Sequence, residues 1–261
     1  MKGADGRLML IGVSLKMYFS HTRTREWVQE VSGILAAHPA AAGVSAFVIP
    51  QYPSIPACVE MGDRLAVGAQ DLATEDAGAF TGEVSGAVLA EVGCRYVEVG
   101  HAERRRLFGE TDDIVAAKIH AALRNGLTPI LCVGEEQRSS AEEAAQACIR
   151  QIESGMRAAD AAGIGGAIVV AYEPLWAIGA PAPAGPEHIR SVCARLRAHL
   201  ADRAVIGGSG GRSGQVIYGG SAGPGLLSEV GGCVDGLFLG RFAHDPSAFR
   251  DILDEVGALN G

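Results

Sequence analysis

The stretch AYEPLWAIGAPA, Ala171 to Ala182, carries one carboxylate, Glu173, between an apolar run and a glycine-containing loop. The run that leads into it, AIVVAY, is β-branched and apolar, which is typical of a buried strand. Pro174 biases Glu173 toward an extended backbone at the end of that strand. A carboxylate there can be shielded from water by a closing loop and act as a base toward carbon. A capping or ion-pairing role is the alternative.

Outward from this stretch, short apolar runs alternate with segments of helical period. The predicted strands are Leu8–Val13, Val44–Ile49, Leu65–Ala69, Tyr96–Val99, Thr128–Val133, Ala167–Tyr172, Val205–Ile206 or Val216–Tyr218, and Gly236–Leu239. The predicted helices include Arg25–Ala37, Asp112–Arg124, Ala141–Ala161 and Glu187–Leu200. About eight strand–helix units predict an α/β fold, a closed eight-stranded parallel (β/α)8 barrel, as a single domain over residues 1–261. An open doubly wound sheet is disfavoured because no GxGxxG follows the first strand.

Composition and charge restrict the class of partner. The chain has 261 residues, 48% of them apolar, and a net charge of -8, which argues against nucleic acid or an anionic membrane surface. Its six cysteines are scattered without a CxxC pair, which predicts free buried thiols in a reducing cytosol. The segment MKGADGR, residues 1–7, lacks the apolar stretch of a signal peptide, and no apolar run approaches the ~18 residues of a membrane span. A cytoplasmic protein is therefore expected.

Two further residues with catalytic chemistry follow predicted strands. Lys16 comes after the first strand between Leu15 and Met17, where it supplies positive charge for a phosphate or oxyanion, or else forms a buried ion pair. His101 ends the fourth strand amid charged residues and is a candidate electrophile, with a purely structural role as the alternative. No His/Cys/Asp spacing suggests a metal, so no metal and no cofactor are predicted.

Glycines follow the last two predicted strands. Gly219, Gly220 and Gly240 lack side chains, which leaves backbone N–H groups free to converge on an anion. In this kind of barrel, phosphate commonly binds after strands seven and eight. The position of these glycines therefore predicts a phosphate site.

The ordered motifs of the chain resemble those of the triosephosphate isomerase family. They are GVSLKMY, GAQD, GAFTGEVS, VGHAERR, PILCVGE, AYEPLWAIG and YGGS, and they span nearly the whole chain. The resemblance implies a TIM barrel that moves a proton through an enediol without a cofactor. It also implies that Glu173 shuttles the proton, neutral His101 polarises the carbonyl, Lys16 stabilises negative charge and Glu103 orients the site.

The resemblance extends to binding and assembly. It implies that backbone N–H groups of Gly179, Ser221, Gly240 and Arg241 bind phosphate, with Ile178 and Gly179 on a lid. It also implies a homodimer in which Thr81 of one subunit lies near Lys16 of its partner.

The chain departs from the family pattern around the retained catalytic residues. Ser14 replaces an asparagine near the reacting end of the substrate, Ala102 replaces a serine, and Arg241 replaces the second glycine of the phosphate motif. The lid carries Pro181 and Pro183, which restrict its backbone. The Arg241 guanidinium either points away from the phosphate or contacts it.

The change from asparagine to Ser14 removes about two heavy atoms and the change from serine to Ala102 about one, which together release about the space of the two heavy atoms of a hydroxymethyl group. We therefore expect a small phosphorylated sugar as substrate, with Ser14 among the binding residues, and an erythrulose phosphate rather than a triose phosphate. Triosephosphate isomerisation is the alternative. A Schiff-base lyase using Lys16 and an inactive phosphate-binding protein are the remaining hypotheses.

Overall fold

The computed structural model describes residues 8–206 and 214–260. Eight parallel strands close into a barrel in sequence order, with β8 paired to β1. The strands are β1 Met9–Ser14, β2 Val44–Ile49, β3 Leu65–Ala69, β4 Tyr96–Val99, β5 Thr128–Val133, β6 Val169–Tyr172, β7 Gln215–Tyr218 and β8 Gly236–Leu239. The predicted (β/α)8 barrel is confirmed.

Helices lie between consecutive strands. They are α1 His21–Ala37, α2 Ile55–Met61, α3 Gly86–Glu91, α4 Ala102–Phe108, α5 Asp112–Arg124, α6 Ala141–Ala161, α7 Pro186–Ile206, α8 Leu226–Val230 and α9 Pro246–Asn260. Short 3-10 helices cover Pro39–Gly43, Tyr52–Ser54, Leu175–Ala177, Gly231–Cys233 and Arg241–Ala243. The predicted boundaries of α5 and α6 are confirmed. Helix α1 begins four residues before the prediction because the Ser20 side chain accepts a hydrogen bond from the Arg23 N–H and caps it.

The sequence left two candidates for the seventh strand, and the structure decides between them. Val205 and Ile206 continue α7, so their assignment as a strand is wrong, and β7 is Gln215–Tyr218. Its register against β6 pairs Val169 with Gln215. Strand β1 runs from Met9 to Ser14, not from Leu8 to Val13, because its pairing with β2 extends to Ser14. Residues 1–7, whose sequence lacks the apolar stretch of a signal peptide, lie outside the described residues.

The inner face of the barrel follows the two-residue period of its strands. An apolar cluster of inward-facing residues fills the lower part, and the Phe47 ring stacks on Tyr96 with centroids 4.6 Å apart. A Cβ atom at Gly12 would lie 1.9 Å from the Phe47 ring, so glycine is required there. The barrel is therefore a packed core and not a channel.

The same alternation places four polar side chains at the carboxyl ends of the strands. Ser14, Glu98, Cys132 and the residue after β6, Glu173, follow inward-facing positions on β1, β4, β5 and β6. All four side chains are buried. The strand pattern thus directs them to one end of the interior, where the active sites of these barrels form.

A larger apolar core fills the space between the barrel and the surrounding helices. All six cysteines fall within the described residues and are free; five are buried and Cys233 is partly exposed. The predicted free thiols are thus confirmed, and the prediction of burial fails only at Cys233. Among the described residues, no helix is long and apolar enough to cross a membrane.

We predict that Gly236→Ala destabilises the fold severely. The added Cβ would lie 1.7 Å from the Leu10 carbonyl oxygen, where β8 pairs with β1, and backbone cannot move aside cheaply. The expected loss in free energy of unfolding is about 3 kcal/mol or more, measured by urea denaturation. Gly33→Ala is the control: it has open space in α1 and should gain about 0.5–1 kcal/mol. An unchanged urea midpoint for Gly236→Ala would contradict this account of barrel closure.

Candidate active site

Glu173 is held at the end of β6 by close backbone packing. Its N–H donates to the Val133 carbonyl at 2.7 Å. A Cβ at Gly134 would lie 2.0 Å from the Glu173 carbonyl oxygen, and a Cβ at Gly219 would lie 2.4 Å from its Oε1. Both neighbours must therefore be glycine for the carboxylate to occupy this position.

The Glu173 carboxyl group is buried and incompletely satisfied. It is 5% exposed, and its Oε2 has no hydrogen-bond partner among the described residues. Burial, together with the nearby Glu98 carboxylate, raises its pKa to about 8, against the opposing charge of Lys16. An unpartnered carboxylate oxygen with a raised pKa is suited to accept a proton from a bound molecule.

His101 caps the N-terminus of α4 and has a defined tautomer. Its Nδ1 accepts a hydrogen bond from the Glu103 N–H at 3.2 Å, so the ring proton lies on Nε2. Nε2 is 3.6 Å from Glu173 Oε2. Burial and the Lys16 charge lower the pKa of His101 to about 4, against the influence of Glu103. A neutral imidazole therefore presents an N–H donor to the pocket.

Lys16 forms a partly exposed ion pair and also lines the pocket, while its role toward a phosphate or oxyanion remains a prediction. Its Nζ donates to Glu103 Oε1 at 2.7 Å, and the side chain also lines the pocket with Glu173 and His101. Burial disfavours the charged lysine, but the hydrogen bond and charge of Glu103 outweigh this and raise its pKa. The backbone has φ of 46°, which a non-glycine residue rarely adopts, and Gln70 donates to its carbonyl at 2.8 Å.

A cluster of ion pairs, mostly buried, holds α4 in place through Arg104. Lys118 Nζ donates to Asp71 and Glu110 at 2.6 Å each, and Arg104 pairs with the same two carboxylates. Because Arg104 belongs to α4, this cluster fixes the helix whose first turn positions His101 and Glu103. No group of three or more His, Cys, Asp or Glu residues is arranged to hold a metal in the part of the chain that the structure describes.

The loop after β6 is anchored at both ends. The Trp176 indole N–H donates to Glu135 Oε1 at 2.8 Å at its start, and the Ala184 N–H donates to the Tyr218 hydroxyl at 2.9 Å at its end. In the middle, Ser221 Oγ donates to the Ala177 and Ala180 carbonyls at 2.8 and 3.0 Å. The loop therefore covers one side of the pocket through contacts with the β7 loop.

Arg241 makes a contact that neither sequence-based alternative included. Its guanidinium Nη2 donates to the carbonyl oxygens of Gly179 and Ala180 at 2.7 and 3.3 Å. The side chain thus joins the β8 loop to the lid. The predicted phosphate-binding residues Gly179, Ser221, Gly240 and Arg241 line the same pocket as Glu173. Their role in binding remains a prediction.

Ser14 lines the pocket as well, but its hydroxyl is already engaged. Ser14 Oγ donates to Glu98 Oε2 at 3.2 Å. Ala102 lines a neighbouring pocket with Gly100 and Cys132 and is not on the wall that Ser14 forms. The two substitutions therefore do not open one common space.

Glu98 is a charged pocket residue that was not predicted from the sequence. Its side chain is buried on β4 and lines the pocket. Burial raises its pKa to about 7, against the Lys16 charge and the Ser14 hydrogen bond. The alternation of side chains in the strand YVEV, Tyr96–Val99, could have revealed it. Tyr96 faces the interior, and a period of two places Glu98 on the same face.

The fold and the pocket together define a TIM-barrel enzyme. The family model described as triosephosphate isomerase matches residues 9–256. The chain therefore belongs to the triosephosphate isomerase family, and it is an isomerase.

Relatives carry two different names. The chain is 53% identical over 260 residues to an L-erythrulose-1-phosphate isomerase of Pectobacterium atrosepticum, covering 98% of each chain. A protein of that name from Rhizobium etli is 40% identical over 225 residues, 82% of this chain and 80% of the relative. A triosephosphate isomerase of Alkalilimnicola ehrlichii is 42% identical over 220 residues, 80% of this chain and 85% of the relative.

We predict that kcat/KM rises with pH through a midpoint near the Glu173 pKa of about 8. The base must be ionised to accept a proton, so activity is low below this pKa and reaches a plateau above it. His101, with a pKa of about 4, is neutral throughout and adds no second step near neutrality. The measurement is kcat/KM from about pH 5 to pH 10. A midpoint below about pH 6 would contradict the raised pKa of Glu173 and bring it closer to that of an exposed glutamate.

Proposed function

We propose that this isomerase converts L-erythrulose 1-phosphate to D-erythrulose 4-phosphate by proton transfer through an enediol, without a cofactor. The observation that carries the proposal is the unpartnered, buried Glu173 Oε2, which lies 3.6 Å from the N–H of His101. A carbon acid bound between them has a base on one side and a hydrogen-bond donor for its carbonyl within reach.

The proton balance is closed within the substrate. Glu173 takes the proton from C3, while His101 Nε2–H polarises the C2 carbonyl and an enediol forms between C2 and C3. Glu173 then returns the proton to C2, and the hydroxyl proton moves from the C3 oxygen to the C2 oxygen by way of His101. The product carries its carbonyl at C3, which is C2 in the numbering of erythrulose 4-phosphate.

Charge on the enediol and phosphate needs local positive groups, because the chain as a whole carries a net charge of -8. In the proposal Lys16 stabilises this charge, and Glu103, hydrogen-bonded to it at 2.7 Å, orients it. Backbone N–H groups of Gly179, Ser221, Gly240 and Arg241 bind the phosphate. The unusual φ of 55° at Ser221 supports a functional role for that backbone.

Two observations support the four-carbon substrate. The relative that is 53% identical over 98% of both chains carries the name L-erythrulose-1-phosphate isomerase. Ser14, smaller than the asparagine of the family motif, lines the pocket next to Glu98. Triosephosphate isomerisation is the second candidate, favoured by the family model and by the relative that is 42% identical.

We predict that the purified enzyme has at least a tenfold higher kcat/KM for L-erythrulose 1-phosphate than for dihydroxyacetone phosphate, about 1.4 kcal/mol of discrimination. Both substrates are measured with one preparation, and Glu173→Ala is the blank for contaminating activity. Efficient triose turnover with a weak tetrose reaction would replace the proposal with the second candidate. Binding of either substrate without turnover would identify an inactive phosphate-binding protein.

We also propose that the protein acts in the cytoplasm as a homodimer. Its free thiols agree with a reducing compartment. Met17, Leu107 and Phe108 are 83%, 62% and 67% exposed and line a groove beside Lys16. A two-fold axis would insert the partner's loop, with Thr81 at its exposed tip, into this groove.

We predict that Leu107→Glu converts a dimer into a monomer in sedimentation velocity, because it places a charge in the apolar wall of the groove. Activity should fall with dimer content. Leu259→Glu is the control, since Leu259 is 43% exposed near the end of α9 and outside the groove. A wild-type protein that is active as a monomer would refute the proposed assembly.

A further inference from the structure

Glu98 has no part in the proton transfer proposed above, yet it occupies the interior of the pocket. It lies on β4, and its side chain is 5% exposed. The other inward positions around it on β2, β5 and β8 are mostly apolar, such as Ile49, Ile130 and Phe238. A carboxyl group buried in this interior costs free energy that an apolar side chain would not. Its presence calls for a stronger hydrogen-bond donor than its protein neighbours Ser14 and Cys132 supply.

The contacts of Glu98 leave it without a cation at hydrogen-bonding distance. Ser14 Oγ donates to Oε2 at 3.2 Å, and the Cys132 thiol, a weak donor, lies 3.8 Å from Oε1. The His101 Nε2 atom is 3.9 Å from Oε1, beyond hydrogen-bonding range. Lys16 is committed to Glu103. Oε1 therefore has room for one strong hydrogen-bond donor from a bound molecule.

The barrel topology places Glu98 away from the expected phosphate site. The phosphate residues follow β6, β7 and β8, whereas Glu98 is on β4, two, three and four strands away in a ring of eight. His101 Nε2 is 3.6 Å from Glu173 Oε2 and 3.9 Å from Glu98 Oε1, so the residues of the proposed proton transfer lie directly beside Glu98. A chain with its phosphate at the loops after β6 to β8 and its reacting carbons at Glu173 and His101 can therefore reach Glu98 and Ser14 with its far end.

We infer that Glu98, held by Ser14, accepts a hydrogen bond from the terminal hydroxyl of a four-carbon ketose phosphate and selects that substrate over a triose phosphate. The inference rests on the proposed isomerase function and identifies the residue that sets its substrate length. A triose phosphate has no hydroxymethyl group beyond the reacting carbon, so it offers no hydroxyl to Glu98 Oε1, which keeps only the weak contact with the Cys132 thiol. A site that loses such a buried partner discriminates strongly against the shorter molecule.

The test combines a substrate change with a residue change. The substrates are L-erythrulose 1-phosphate, its 4-deoxy analogue, which ends in a methyl group, and dihydroxyacetone phosphate. The variants are Glu98→Met, which keeps the volume without an acceptor, and Glu98→Gln, which keeps an acceptor without the charge. Glu60→Gln on the exposed side of α2 is the matched surface control. The ratio of two kcat/KM values for one variant cancels any effect on Glu173 that both substrates share.

We expect Glu98→Met to lower kcat/KM for the tetrose about 10- to 100-fold relative to the triose, the range for a lost hydrogen bond to a charged group. Glu98→Gln should restore part of this ratio, and Glu60→Gln should leave it unchanged. In wild type, removal of the C4 hydroxyl from the substrate should lower kcat/KM by a similar factor. In Glu98→Met, which has already lost the acceptor, the same removal should lower kcat/KM only slightly. If the variants fail to fold, the 4-deoxy analogue with wild type alone carries the test.

Failure of this inference and failure of the proposed function give different results. Wild type that prefers the triose phosphate overturns the proposed function. Wild type that prefers the tetrose, but whose preference survives Glu98→Met, overturns only the role of Glu98. Equal turnover of the 4-deoxy analogue and L-erythrulose 1-phosphate by wild type overturns it too. Equal loss on all three substrates in Glu98→Met assigns Glu98 to general support of the site and also refutes substrate selection.

Discussion

The pairing of β1 with β8 closes the barrel, and the pocket exists only because of that closure. Leu10 lies opposite Gly236 in this pair, so the first and last strands meet without a side chain between them. Closure brings Lys16, from the loop after β1, to the same pocket as Gly240 and Arg241, which follow β8. It also creates an interior that excludes water, in which a carboxylate at the end of β6 becomes a stronger base than it is in solution. The geometry and the acid–base chemistry of the site share one structural cause.

Most of the fold could be predicted from the sequence because strand and helix periods are local properties. The runs that became β2, β3, β4, β5 and β8 were predicted with their observed boundaries. Val205 and Ile206 were ambiguous because two β-branched residues fit either a strand or the end of a helix, and only pairing with β6 decides between them. The helices α2, α3, α4 and α8 are seven residues or shorter, so they present too few turns for a period of 3.6 to be recognised.

A site residue could be predicted where its position at the end of a strand is enough to place it in the pocket. Contacts between residues on distant strands could not be predicted. Glu173, His101 and Lys16 each follow a recognisable strand, so their convergence follows from the fold. The hydrogen bond from Ser14 to Glu98 joins residues 84 positions apart, and the contact of Arg241 with Gly179 spans 62. No local pattern specifies such pairs. The sequence motif suggested that Ser14 enlarges the pocket, whereas the structure assigns its hydroxyl to Glu98.

The pocket holds one lysine, Lys16, and three carboxylates, Glu98, Glu103 and Glu173. How strongly the lysine interacts with each of them links the basicity of Glu173 to the choice of substrate. Glu103 holds Lys16 at 2.7 Å, and this pairing lowers the pKa of Glu103 despite its partial burial. Lys16 lowers the pKa of Glu98 and Glu173 only through its charge, so burial raises the pKa of both, and the Glu98 charge raises the pKa of Glu173 further. A neutral donor that binds Glu98 can stabilise its carboxylate without neutralising it, which preserves the field that makes Glu173 basic. A cation at the same place would satisfy Glu98 but weaken the base. A hydroxyl group is therefore the kind of ligand that this pocket accepts without loss of its chemistry.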